Sequence, residues 1–188
     1  RIRREGEFLI VGFDLISYSA KIRVKEAKGH FLFELVDFVL GPKGTDHLKM
    51  TYPPVTKVRI LEVPFKERCN FGEWLNVVWD DKGVGAVIAG EPYTWIGNEK
   101  RFGNRHLYAD ARKDLKLRGA KAALVVDTRE KFMDSMDATE RELGLPLGVQ
   151  SRRSDDLNRS IYWHSNVTPK NVDEHIALAK KGGFKMML

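Results

Sequence analysis

The hydrophobic pattern of the chain changes its period near Asp127, and this change constrains the fold more than any other feature. Before Asp127, apolar residues alternate with polar ones or form short runs, as in β-strands with one buried face. After Asp127, apolar residues recur every three or four positions, as on an amphipathic helix. The sequence therefore predicts a mainly β fold, with an antiparallel β-sandwich over residues 1–126 and helices and parallel strands after it.

Short strands separated by turn signals fill the N-terminal region. In residues 20–25, Ile22 and Val24 alternate with three basic side chains. The strongest hairpin joins residues 75–79 to residues 84–89 through Asp80-Asp81-Lys82-Gly83. The two aspartates could also form a metal-binding pair, but the preference of Asp and Gly for turns favours the hairpin. The other predicted strands are residues 7–12, 30–40, 57–63, 93–96, 115–117 and 122–126.

Helical patterns dominate the rest of the chain. A first helix is predicted over residues 129–143, capped by Asp127 or Thr128, and the polar residues 151–159 predict a linker. Thr168 and Pro169 predict the start of a second helix that ends at Gly182. The apolar stretches 160–163 and 184–188 flank this second helix.

Strand, helix and strand make one βαβ unit with parallel strands. We therefore predict three parts: a sandwich (1–126), a helix and linker (127–159), and the first βαβ unit of a TIM-type α/β barrel (160–188). Because one such unit cannot close a barrel, the rest of the barrel is expected beyond Leu188.

Composition excludes several classes of protein. The net charge of +6 permits a polyanionic ligand, but the basic residues are scattered, and residues 112–121 alternate like a strand with one solvated face, so nucleic acid is not a predicted partner. One cysteine, Cys69, cannot form an intramolecular disulfide, and the five histidines lack metal-ligand spacing. No metal or cofactor is predicted. No apolar run approaches the ~18 residues of a membrane span.

The segment Tyr162-Trp163-His164-Ser165-Asn166 has the composition of a sugar site. It follows a predicted parallel strand, at the end where α/β barrels carry their active sites. An aromatic ring can stack on the C–H face of a sugar, and polar side chains can bond its hydroxyls. An equally open alternative places Trp163 in the protein core. The candidate substrate-binding residues are Trp163, His164, Ser165 and Asn166.

This arrangement resembles the alpha-galactosidase-like glycoside hydrolases, in which a β-sandwich precedes an α/β barrel. Three stretches carry the resemblance: the Trp-containing residues 161–165, the Thr-capped helix start at 168–172, and Ala-Lys-Lys-Gly-Gly-Phe at 179–184. The N-terminal region also looks like the leading domain of large hypothetical carbohydrate-active proteins of gut bacteria, through short motifs at 100–103 and 119–125.

The resemblance implies a retaining glycoside hydrolase acting on oligo- or polysaccharide, with a nucleophile and an acid/base carboxylate about 5 Å apart. In those enzymes both carboxylates come from later barrel strands, so no residue of this chain is assigned a catalytic role. Trp163 matches the aromatic residue that borders the sugar pocket, whereas His164 and Ser165 depart from the common family pattern. The implied partner is a carbohydrate, and the implied location is periplasmic or extracellular.

A second interpretation is a free-standing carbohydrate-binding or structural β-sandwich module without catalysis. Exposed Trp74, Trp79 or Trp95 would then form the sugar platform, whereas buried tryptophans would favour a structural role. Trp79 and Trp95 lie in apolar strands and are predicted to be buried, and Trp74 is predicted to lie nearer the surface.

Overall fold

A computed structural model describes residues 1–13, 18–39, 55–66, 70–72, 76–155, 161–184 and 186–187. The chain forms two compact units, Arg1–Leu145 and Pro146–Leu188. Trp74 and Cys69 lie outside the described residues. The predicted division at residues 126 and 159 stays a prediction.

The first unit is an antiparallel β structure. Its described strands are β1 (Ile2–Glu5), β2 (Phe8–Phe13), β3 (Tyr18–Ala27), β4 (His30–Val39), β5 (Lys57–Lys66), β6 (Asn70–Gly72), β7 (Val77–Trp79), β8 (Val84–Ala89), β9 (Trp95–Arg101), β10 (Asn104–Arg112) and β11 (Lys121–Asp127). Among the described residues, one sheet has eight strands in the order β1-β2-β3-β4-β11-β8-β7-β6, and a second has three in the order β5-β10-β9. The predicted fold class, mainly β with antiparallel sheets, is confirmed.

Both sheets contribute to one hydrophobic core. The larger sheet buries Leu35 and Val87, and the three-stranded sheet buries Leu107, Ala109 and Ala111. Along β10, the buried residues alternate with more polar ones on the opposite face, so the period of two places one side of the small sheet on the core.

The hairpin between β7 and β8 confirms the turn interpretation of the paired aspartates. A carboxylate oxygen of Asp80 accepts hydrogen bonds from the backbone N–H groups of Lys82 at 2.8 Å and Gly83 at 3.0 Å. These bonds favour the ionised carboxylate and lower the pKa of Asp80. The Asp side chain therefore stabilises the turn itself.

The predicted strand at residues 115–117 is wrong. Residues 113–119 form turns, and the only ladder contact there is an isolated antiparallel bridge between Arg112 and Lys116. The Arg112 side chain donates two hydrogen bonds to Asp114, at 3.0 and 2.7 Å, which favours this tight reversal. Strands β1, β6 and β10 were not predicted from the sequence.

Helix α1 (Phe132–Leu143) begins three residues later than predicted and has no side-chain cap. Asp127 anchors the helix instead of capping it, because its carboxylate accepts a hydrogen bond from the Ser135 hydroxyl at 2.5 Å. The buried face consists of Ser135 and Thr139 rather than the larger apolar side chains. The Thr139 hydroxyl donates to the Ser135 carbonyl at 2.6 Å, which satisfies it without a partner from the sheet.

The end of α1 is tied to the sheet by Glu142, and this tie predicts a pH dependence. The Glu142 carboxylate lies 2.5 Å from the Lys25 ammonium and 2.9 Å from Nε2 of the buried His30. The hydrogen bond from Lys25 lowers the pKa of Glu142, partial burial opposes it, and the bond from His30 lowers it further. The ionised carboxylate therefore stabilises the folded state above an unfolded pKa of about 4.3, and this contribution is lost as the pH falls through the lower, folded-state pKa.

We expect the urea-unfolding free energy of the unmodified chain to fall more steeply below about pH 4.3 than that of Glu142→Gln. Replacing Glu26, an exposed carboxylate on β3, by glutamine is the matched control and should leave the slope of the unmodified chain in place. Parallel pH profiles for Glu142→Gln and the unmodified chain would contradict the assignment.

The second unit contains a βαβ arrangement. Its elements are α2 (Gly148–Arg153), β12 (Ile161–Tyr162), α3 (Val172–Lys181) and β13 (Met186–Met187), and β12 and β13 pair in parallel. Continuation into a TIM-type barrel stays a prediction. No helix in the described part of the chain has the length and apolar composition needed to cross a membrane.

Two predicted boundaries in this unit are wrong. Residues 151–153, assigned to a linker, belong to α2, whereas residues 156–160 lie outside the described residues. Helix α3 begins at Val172 instead of following Thr168 directly, because residues 168–171 form a turn in which the N–H groups of Asn171 and Val172 donate to the Thr168 carbonyl.

Candidate functional site

The predicted sugar-binding segment follows the carboxyl end of β12. The Trp163 side chain is 75% exposed and contacts no other aromatic ring among the described residues. In this chain Trp163 is therefore exposed, and its role in sugar binding stays a prediction. Ser165 and Asn166 are exposed in the turn that follows.

His164 is held in place by three neighbours. Its Nδ1 accepts a hydrogen bond from the Asn166 backbone N–H at 3.1 Å. Its ring stacks on Tyr162, with centroids 6.0 Å apart, and lies 4.3 Å from the ring of His175. Because Nδ1 acts as an acceptor, the neutral ring carries its proton on Nε2, a tautomer assigned from the hydrogen bond.

Asn171 fixes the loop between β12 and α3. Its side-chain oxygen accepts hydrogen bonds from the N–H of Thr168 at 2.6 Å and from the Thr168 hydroxyl at 2.9 Å. Its side-chain amide donates to the Asn166 carbonyl at 3.0 Å. One side chain thus closes the loop on both sides of Val167.

The structure brings two of the four predicted site residues, His164 and Asn166, into contact. The positioning residues Tyr162, Asn171 and His175 were not among the predicted site residues. The Tyr162 hydroxyl lies 2.9 Å from Nδ1 of His175, which links the strand to the helix. Tyr162 and His175 are thirteen residues apart, and no sequence pattern predicts a contact at that spacing. The contact depends on α3 folding back along β12.

A separate groove lies in the first unit, on the three-stranded sheet. It has a volume of about 670 Å³ and contains Trp95, whose side chain is 50% exposed. We call it the Trp95 groove. Its lining residues are Thr56, Lys57, Trp95, Tyr108, Asp110, Arg112, Lys113 and Asp114.

The exposure of Trp95 contradicts the predicted burial. Trp95 is the first residue of β9 and lies opposite Asp110, whereas the next residue, Ile96, packs against the core. Adjacent residues of a strand point to opposite faces, so Trp95 lies on the side away from the core. Trp79 is partly buried.

Arg59 organises the sheet beneath this groove. Its Nε donates to the buried carboxylate of Asp110 at 2.9 Å, and its Nη1 contacts Glu62 at 2.6 Å and Glu99 at 3.1 Å. A β-bulge in the β5–β10 pairing places Arg59 opposite Asp110. Burial opposes the charge of Arg59, but the hydrogen bonds to Asp110 and Glu62 outweigh it and raise the pKa of the guanidinium.

Glu62 joins Arg59 to a second basic pair. Its carboxylate also contacts Arg101 and lies 2.8 Å from Nδ1 of His106. The hydrogen bond from Arg59 lowers the pKa of Glu62, burial opposes it, and the bond from His106 lowers it further. The carboxylate of Glu62 is therefore held in its charged form, chiefly by Arg59.

Tyr108 lies between two neighbours in the small sheet, Arg59 and Gly97. The Arg59 guanidinium is 3.8 Å from the centre of its ring, within cation–π distance. Gly97 lies opposite Tyr108 in β9, and a Cβ atom at Gly97 would come within 2.7 Å of the tyrosine hydroxyl. The missing side chain thus leaves room for the ring.

The described residues contain no group of three or more His, Cys, Asp or Glu side chains that could hold a metal ion. Because Cys69 lies outside the described residues, the expectation that the chain binds no metal stays a prediction.

No protein-family model matches the chain, and no curated protein sequence matches it. Solved structures match all of it. They include alpha-N-acetylgalactosaminidase NagBb from Bifidobacterium bifidum as a quadruple mutant, with 10% sequence identity and a TM-score of 0.47. The same protein in its GalNAc complex gives 11% and 0.43, and in its Gal-NHAc-DNJ complex 10% and 0.44. The chain covers 42% of the first of those chains and 41% of the other two.

Proposed function

We propose that this chain is the leading, non-catalytic portion of a carbohydrate-active enzyme, a retaining glycoside hydrolase of the alpha-galactosidase-like type. The observation that carries the proposal is the exposed indole of Trp163 directly after the parallel strand β12. A ring at the carboxyl end of a parallel strand is well placed to stack on the C–H face of a sugar.

The neighbouring polar groups suit the hydroxyls of the same sugar. His164 directs its acceptor nitrogen to the Asn166 backbone, so its Nε2–H remains as a donor. Ser165 and Asn166 present a hydroxyl and an amide in an exposed turn. Asn171 acts as a positioning residue, because its hydrogen bonds hold Asn166 and Thr168.

Retaining hydrolysis requires two carboxylates about 5 Å apart, one as nucleophile and one as acid/base. We assign neither role to a residue of this chain. The 188-residue chain alone should therefore leave aryl α-galactosides unhydrolysed. Turnover that disappeared on replacing an acid of this chain, such as Asp80, would contradict this division of roles.

The proposal is tested by Trp163→Ala in the full gene product, assayed on aryl α-galactoside and aryl α-N-acetylgalactosaminide. Loss of one aromatic sugar contact should lower kcat/KM by roughly ten- to a hundred-fold. The thermal unfolding midpoint should stay unchanged, because the Trp163 side chain is 75% exposed.

Trp95→Ala is the matched control, because it removes an exposed indole from the first unit instead of the second. It should leave kcat/KM on these small substrates unchanged. An unaltered kcat/KM in Trp163→Ala would refute the proposed sugar contact. A fall in activity that matched the fall in folded protein would refute it equally.

A further inference from the structure

We propose that the Trp95 groove binds an acidic saccharide, at a site independent of the proposed glycosidase activity. The ligand is a short oligosaccharide that carries a carboxylate or sulfate group. The volume of about 670 Å³ lies within the range typical of small-molecule sites.

Trp95 supplies the stacking surface. Trp95 is 50% exposed and lines the groove, and the Arg112 guanidinium lies 5.2 Å from its ring centre. Arg112 is itself fixed by two hydrogen bonds to Asp114. The indole therefore lies beside an oriented donor and an oriented acceptor, the combination that binds a ring with polar substituents.

The floor of the groove is already ordered. Asp110 is buried at 1% exposure, and its carboxylate receives hydrogen bonds from Arg59 at 2.9 and 3.5 Å. Tyr108 is held between Arg59 and Gly97. Since these side chains are fixed before a ligand arrives, binding need not order them.

The charges select the class of saccharide. Three cations line the groove, against two carboxylates. Arg59 already neutralises Asp110, and Asp114 is engaged by Arg112. Lys57 approaches Asp110 only at 3.4 Å and is 53% exposed, while Lys113 forms no ion pair with any described residue. Two lysines thus remain to receive a carboxylate or sulfate.

The same groove is poorly suited to nucleic acid. Asp114 is an exposed carboxylate, with 60% of its side chain accessible, and lies beside the basic groups. A nucleic-acid backbone binds along a continuous track of cations, whereas beyond the paired Arg112 this groove offers only Lys57 and Lys113, and the oxygens of Asp114 can accept hydrogen bonds from sugar hydroxyls.

The proposal is tested by isothermal titration of the full chain with oligogalacturonate and with a chondroitin sulfate oligosaccharide. At least one acidic probe should bind about tenfold more tightly than a neutral galacto-oligosaccharide of equal length or a thymidine oligonucleotide. Trp95→Ala should weaken that binding about tenfold or more, and Trp95→Phe, which keeps a ring if the alanine variant unfolds, by less.

Lys113→Gln should weaken binding and reduce its dependence on salt, since it removes one cation from the groove. Lys28→Gln, at an exposed lysine of the same unit, is a control that should bind as the unmodified chain does. Failure of both acidic probes to bind, full affinity in folded Trp95→Ala, or tighter binding of the neutral sugar or the oligonucleotide would each overturn the proposal.

Discussion

Replacing Gly29 by alanine should lower the free energy of unfolding by about 2–5 kcal/mol, because two penalties add. Gly29 has a φ of 80°, in the left-handed region that L side chains rarely adopt. A Cβ atom there would also collide with Ser135, lying 2.7 Å from its Cβ and closer still to its hydroxyl oxygen. The collision would disturb the hydrogen bond from Ser135 to Asp127 that anchors α1.

Gly6→Ala is the matched control for this variant. Gly6 has a similar φ of 60°, but no atom lies within 4 Å of the position of its missing Cβ. The free energy of unfolding of Gly6→Ala should therefore fall by about 1–2 kcal/mol, from the backbone penalty alone. Urea unfolding of both variants measures the difference, and equal losses would show that Gly29 does not contact α1 closely.

Replacing Arg59 by methionine should lower the free energy of unfolding by about 2–4 kcal/mol. Methionine keeps much of the apolar length of the side chain but removes the guanidinium from the buried carboxylate of Asp110. Lys57, at 3.4 Å, is the remaining cation recorded near that carboxylate. The unfolding midpoint in urea should fall while the denaturant slope stays constant.

Two further variants separate the buried charge from other effects. The double variant Arg59→Met, Asp110→Leu should recover much of the loss, since it leaves no unpaired carboxylate beneath the groove. Arg3→Met removes an arginine from an exposed pair with Glu5 and should change stability by less than about 1 kcal/mol. A double variant no more stable than Arg59→Met would contradict the assignment of the loss to Asp110.

Strands could be predicted from the sequence where large or branched apolar residues alternate with polar ones. Strand β8 was predicted with its observed bounds, and Ile22 and Val24 identified β3. Strand β10 has the same period, but two of its buried residues are Ala109 and Ala111, fully enclosed in the core. Alanine contributes little hydrophobicity, so the alternation of β10 is weak in the sequence although its burial is complete.

The candidate sites show a similar division. The position of Trp163 after a parallel strand could be predicted, because local patterns identify both the strand and the helix that follows. The orientation of Trp95 could not be predicted, since a slip of one residue in the pairing of β9 with β10 would exchange the two faces of the strand. Likewise, Asp110, Arg59 and Tyr108 meet only through the pairing of β5, β10 and β9, which no spacing within one strand reveals.

The bulge between β5 and β10 restricts the register in which these two strands can pair. A strictly alternating strand can slide by two residues along its neighbour and keep its core side chains inside. On β5, Ile60 and Leu61 are both buried in succession, so such a slide would drive one of them out of the core. The slide would also move Arg59 away from Asp110 and leave the buried Asp110 carboxylate without this partner. A slipped pairing of β5 with β10 is therefore less stable than the observed one, and the bulge fixes the register of the small sheet.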